Sequence, residues 1–210
     1  MLTRASSKHF LVTIAVVSAI VLGVSAFAGI FAYRVYAMQD DHAWVRVTSA
    51  ITHVPAARLG SRWIAYSDYL AHVDALDRFL RGPVAREQGY PTIPNAAMKR
   101  QTLDRLLRIS AVEELAASRG IVVTALDVQR EYNTLIQRAG TSTSPEEIHA
   151  FLEEQFGWNE TEFQRNIIRP AMLEDGLRQQ KESQTKNANA FEQELTDRLA
   201  HSDVKRYLTF

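Results

Sequence analysis

Histidines and carboxylates are the residues in this chain that could bind a metal or move a proton, and their spacing argues against both. The six histidines fall at positions 9, 42, 53, 72, 149 and 201. No two stand at the i, i+4 separation that a zinc-binding H-E-x-x-H helix uses. Asp40, Asp41 and His42 are the one local cluster of ligand types, and after a long apolar segment they read as a solvated linker. Glu113-Glu114, Glu146-Glu147 and Glu153-Glu154 are adjacent acids, which do not face one another on a helix, so they read as solvated faces. Asp77, Arg78 and Arg81 read the same way. Cysteine is absent, which removes structural disulfides, thiolate zinc sites and thiol nucleophiles together. There is no G-x-S-x-G, P-loop or G-x-G-x-x-G pattern. The expectation is a protein with no catalytic residue, no metal and no cofactor.

Binding is the remaining class of function. Lysine plus arginine equals aspartate plus glutamate at 24 each, so no basic excess points to nucleic acid. A helical body with an open groove could instead hold extended or partly folded chains through aromatic and aliphatic side chains. Tyr66, Tyr69, Phe79, Tyr90, Phe151 and Trp158 are the candidates for such a surface. The competing and more ordinary reading is that each fills the interior, as aromatics at helical spacing usually do.

The elements that would position these residues begin with an anchor. Residues 10–33, FLVTIAVVSAIVLGVSAFAGIFAY, carry no charge, and as a helix they span roughly 36 Å against a hydrocarbon core of about 30 Å. Arg4 and Lys8 precede them and Asp40 and Asp41 follow. That bias places the N-terminus, residues 1–9, in the cytoplasm and the body outside the cell membrane. The alternative is a cleaved signal peptide, because Ala26-Phe27-Ala28 has the small-x-small form of a cleavage site and would leave a secreted or periplasmic protein. Residues 34–55 form a juxtamembrane linker, and Tyr33 at the end of the anchor with Tyr36 and Trp44 of the linker suit the membrane interface.

The body reads as mainly α. In AARLGSRWIAYSDYL, residues 57–64 look extended around a turn at Gly60-Ser61, and Ser67 looks like a helix cap. Helices are expected from Ser67 to about Arg81, from an Asn95 cap to Arg119, from Thr124 to a stop at Gly140, and from Ser144-Pro145 to Gly157. Another begins near Asn159 or Thr161, with a kink expected close to Pro170, and a short helix covers about 190–201. The predicted apolar stripes include Tyr132, Leu135 and Ile136, then Ile148, Phe151, Leu152 and Phe156, then Phe163 and Ile167. Between Gly120 and Thr124 stand Ile121, Val122 and Val123, β-branched residues that favour an extended backbone. A strand that short needs a partner, and the extended residues ahead of Ser67 are the expected one.

This order of signals resembles the N-terminal chaperone domain of the SurA-like family, which includes periplasmic SurA, membrane-anchored PpiD-type proteins and PrsA-type foldases. The likeness covers roughly residues 54–182 and is carried by AARLGSRWIAYSDYL, LAASRGIVVT, TALDVQREY and FGWNETEFQRNIIRP. Leu59-Gly60 stands where the family has a Val-Asn-Gly turn, Ile64 with Ser67-Asp68 stands for its Ile-Thr strand and cap, and Gly157-Trp158 precedes the return helix. Leucine and glycine replace the family's Asn-Gly pair, which leaves the turn type open.

The resemblance implies a SurA-N-like helical chaperone domain at 56–182 with one two-stranded β pairing, followed by a tail at 183–210. It implies partners among unfolded or nascent exported polypeptides, and isomerase relatives whose parvulin domain is not seen here, because residues 187–210 are too few for one. Two alternatives stand beside this reading: an isomerase-lineage protein without its catalytic domain, and an envelope adaptor that docks one dedicated partner. Both the family assignment and the client-holding role require residues 121–123 to lie edge to edge with the extended residues before Ser67.

Overall fold

The uncharged run lies within one unbroken helix, α1 (Arg4–Tyr36), in a computed structural model that describes residues 4–139, 144–201 and 203–210. Between Ser18 and Tyr36 this helix is long and apolar enough to cross a membrane, and little of that stretch is covered by the rest of the chain. A core helix of a soluble protein would be covered. Its last two turns are different: Phe31 and Val35 are buried in the main core. Trp44, on α2 (Ala43–Thr52), packs 6.0 Å from the rings of both Phe27 and Phe31.

The hairpin forms where expected. β1 (Pro55–Leu59) and β2 (Arg62–Ala65) pair antiparallel around Gly60-Ser61, and Gly60 takes φ +58, the sign a two-residue hairpin loop asks of its first residue. The other neighbour of β1 is not residues 121–123. It is β3 (Val204–Arg206), from the far end of the chain, in antiparallel register with Ala57 opposite Arg206 and Leu59 opposite Val204. The sheet therefore has three strands in the order β2-β1-β3, which corrects the two-stranded expectation.

Ile121, Val122 and Val123 form no strand, and the physical reason is a helix stop. Gly120 adopts φ +68; its amide donates to the Ala117 carbonyl at 3.3 Å, and the Ile121 amide donates to the Ala116 carbonyl at 2.9 Å. This pair of bonds is a Schellman motif, in which an apolar residue just past the glycine folds back on the helix it ends. Ile121 and Val123 pack on the core while Val122 is 77% exposed. The inward-outward alternation is satisfied by packing, with no ladder of hydrogen bonds.

The helical body comprises α3 (Tyr66–Arg81), α4 (Pro83–Glu87), α5 (Ala96–Ser118), α6 (Ala125–Ala139), α7 (Pro145–Phe156), α8 (Glu160–Phe163), α9 (Arg169–Thr185) and α10 (Ala190–Ala200). Asn95 caps α5 by accepting from the Met98 amide at 3.0 Å. Helix α3 starts a residue earlier than expected, at Tyr66, with Ala65 at its N-cap and no side-chain cap, so Ser67 does not play that role. The stop expected at Gly140 lies outside the described residues. Near Pro170 the chain answers the missing amide with a π-helical turn, Gln164–Ile168, closed by the Arg169 amide on the Gln164 carbonyl. Such a turn is one of the recognised ways a helix absorbs a local mismatch.

Helix α10 packs on α5 and α9, burying Phe191 and Leu195 with Leu103, Leu107, Leu173 and Leu177 against Ala57 and Leu59 of the sheet. Charge clusters bind the same helices at the surface. Arg108 pairs with Glu174 at 2.8 Å and Glu192 at 3.0 Å, and Arg198 pairs with Glu114 at 3.0 Å and Asp203 at 2.8 Å.

Candidate functional site

An apolar stripe on α6 faces one on α7 without closing against it. Tyr132, Leu135 and Ile136 of α6, with Ile148, Phe151 and Leu152 of α7, form the walls of an open groove of about 520 Å³, which Glu147 of α7 and Phe163 of α8 also line. The groove helices are fixed by local chemistry. Before α6, the Thr124 amide donates to Asp127 at 2.9 Å and the Asp127 amide donates to the Thr124 hydroxyl at 3.2 Å. Ser144 with Glu147 and Asn159 with Glu162 make the same reciprocal cap before α7 and α8. Helix α7 is seated on α3 by Arg78, whose Nη1 donates to the Glu153 carbonyl at 3.2 Å. Gly157 follows with φ +68, a left-handed turn that favours glycine, and the Arg78 guanidinium packs against it.

Phe163 also lines a second, neighbouring cavity of about 360 Å³ between α3, α5 and the loop after α7. Its apolar wall is an aromatic series: Phe79 stacks on Phe156 at 5.9 Å, and Phe156 lies 5.7 Å from Trp158 and 6.4 Å from Phe151. His72 meets Trp158 edge-on at 5.4 Å. Burial, and then the positive charges of Arg105 and Arg165, push the His72 pKa down to about 4, so the ring is neutral at physiological pH. Loss of water lowers the Arg105 pKa as well. These groups offer one neutral imidazole among aromatics, and the Thr102 hydroxyl in the same lining donates to the Met98 carbonyl at 3.0 Å. The arrangement can shelter apolar side chains.

Three of the six residues singled out from sequence come together here: Phe79 and Trp158 line the cavity and Phe151 lines the groove. Tyr66 and Tyr69 do not, being 0% and 1% exposed, which corrects their assignment to a binding surface. Their rings sit in the main core, where burial raises both phenol pKa values. The Tyr66 hydroxyl donates to the Asp40 carbonyl at 3.0 Å and that of Tyr69 to Gln39 Oε1 at 3.2 Å. Tyr90 is exposed on the connection between α4 and α5 and lines neither recess. The remaining apolar groove residues, Tyr132, Leu135, Ile136, Ile148, Leu152 and Phe163, are legible as helix stripes, whereas Glu147 is not. Periodicity reports an apolar face and cannot report whether another element covers it.

Asp40, read from sequence as part of a solvated linker, is instead a buried joint between α1 and the body. Its Oδ2 accepts from Arg34 Nη1 at 2.6 Å, and its Oδ1 accepts from the His42 amide at 3.0 Å and contacts the His42 ring. Burial raises its pKa, but the Arg34 and His42 hydrogen bonds outweigh that and hold the carboxyl well below the usual carboxylate range. Asp40, Asp41 and His42 could bring ligand atoms within 4.8 Å of one another. Arg34 and His42 hold Asp40 in the joint, while Asp41 lies 3.6 Å from Arg46. The C-terminus completes it: the Thr209 amide donates to the Tyr36 carbonyl at 3.1 Å and the Tyr207 amide to the Ala56 carbonyl at 3.0 Å.

Compared with family models, with curated proteins and with solved structures, the chain finds no match.

Proposed function

We propose that this protein is a membrane-anchored, non-catalytic module outside the cytoplasm that holds unfolded or partly folded polypeptide in the groove between α6 and α7. The observation that carries the reading is the groove itself, an open recess of about 520 Å³ with almost wholly apolar walls. Recesses of this size take small clusters of apolar groups, and contiguous exposed apolar surface marks sites of interaction. Anchoring is supported by the uncovered apolar length of α1 and by Arg4 and Lys8 ahead of it. The strand pairing required by both the SurA-like resemblance and the client role it implied does not form, so that route to the role is closed and the proposal rests on the groove alone.

The test is suppression of aggregation by the full chain in lipid nanodiscs, using several unrelated denatured proteins. Protection of all of them, lost on Leu135→Ser with Phe151→Ser, is the expected result. Capture of one protein alone would replace this reading with the adaptor, and acceleration of proline isomerisation in a peptide assay would replace it with the enzyme.

A further inference from the structure

We infer that α2 is a membrane-surface helix, lying in the headgroup region with Trp44, Val47 and Ile51 turned toward the acyl chains. The inference rests on the reading of α1 as an anchor. At 100° per residue, Trp44, Val47 and Ile51 fall within an arc of about 60°, and they are 38%, 59% and 72% exposed. The nearly opposite face of α2 is the one the body covers, through the buried Val45 and Ser49. Arg46 is the one charged residue on α2. It points elsewhere, gripping Asp74 of α3 with Nη1 at 2.6 Å and Nη2 at 2.8 Å. The open face is thus both apolar and uncharged, although the helix stands in the first turn of chain beyond the anchor.

Depth argues for lipid as the occupant. Trp44 packs on Phe27 and Phe31 of α1, which lie roughly 10 and 5 Å back along the helix from Arg34, toward the membrane. The chain leaves the anchor, turns at Asp40, and brings α2 back to the level of the span's own last turns. That is the depth at which amphipathic helices settle and at which tryptophan is favoured. The open face of α2 continues the exposed apolar surface of α1 at Phe27 and Ile30.

Because the chain has no cysteine, single replacements V21C, V47C, I51C and E182C in the full chain can each carry one environment-sensitive fluorophore. In nanodiscs of phosphatidylcholine and phosphatidylglycerol, a quencher on the lipid near the headgroup should quench the labels at 47 and 51 about threefold or more beyond that at 182. Both labels should also be shielded from aqueous iodide. Labels at 47 and 51 that behave like the one at 182, while a deep lipid quencher reaches the label at 21, would overturn the inference and leave the anchor standing. Shielding from iodide without quenching by lipid would overturn it too, since protein, such as a second copy, would then cover the face. If the label at 21 is not reached from lipid, the anchor reading fails and this inference falls with it.

Discussion

The part of the chain that grips α1 and the part that carries the groove use helices of the same kind but close them differently. Around α1, contacts join residues far apart in sequence: β3 completes a sheet begun at Pro55, Tyr66 reaches back to Asp40, and Arg198 ties α10 to α5. Around the groove the recurring polar device is local, a reciprocal cap spanning three residues before each of α6, α7 and α8. The buried residues there are few: Val128, Tyr132 and Ile168 form a small cluster, and Leu152 of α7 is buried apart from it. A cap contributes about 1 kcal/mol from a hydrogen bond or two and demands no cover from another helix. An apolar face can then stay open without the helix that bears it being lost.

The comparison breaks most sharply on a core truncation. Leu107→Ala, in the closed part, should cost about 2–5 kcal/mol, whereas Leu135→Ala in the groove should change stability by no more than about 0.5 kcal/mol. Urea denaturation followed by tryptophan fluorescence checks both, and equal losses would erase the distinction.

The next effect is set by pH. His72 stays neutral in the folded chain down to about 4, while the unfolded chain protonates it near 6.5. The unfolded state therefore binds more protons between those values, and stability falls as pH drops through that window, on the order of 2–3 kcal/mol. Replacing His72 with glutamine should flatten that limb of the stability profile. An unchanged profile would mean the cavity beside the groove is as wet as bulk solvent.

Asp40 has the same dependence at lower pH. Its folded pKa is depressed, so its contribution is present above the unfolded value near 3.9 and is lost as pH falls below it. Asp40→Asn should cost about 1–3 kcal/mol at neutral pH and speed proteolytic cleavage between α1 and α2. The smallest effect on stability belongs to the groove: Phe151→Ser should leave folding within about 0.5 kcal/mol while weakening client binding about 5–10-fold in a fluorescence titration.

What could be read from the residues follows the same division. Asn95, Thr124, Ser144 and Asn159 announce helix starts because a cap is a matter of three or four neighbouring residues, and Gly120 and Gly157 announce stops for the same reason. The groove's walls were legible as stripes, but their openness was not, since that depends on which helix fails to cover them. Residues 121–123 were misread because β-branched residues past a glycine serve a Schellman stop as well as a strand. The true partner of β1, three residues from Val204 to Arg206, carries no alternation long enough to signal a strand. Asp40 was read as solvated because its partners, Arg34 and His42, act only once the chain has turned back on α1.

The central claim is that the groove between α6 and α7 is where another chain is held. A photoreactive phenylalanine analogue at position 151 of the full chain in nanodiscs, offered a urea-denatured client, tests it most directly against the same analogue at position 122, which is more open to solvent but lies outside the groove. The account predicts crosslinks to the client from 151 and none above background from 122; no crosslink from 151, or equal yields from the two positions, would contradict it.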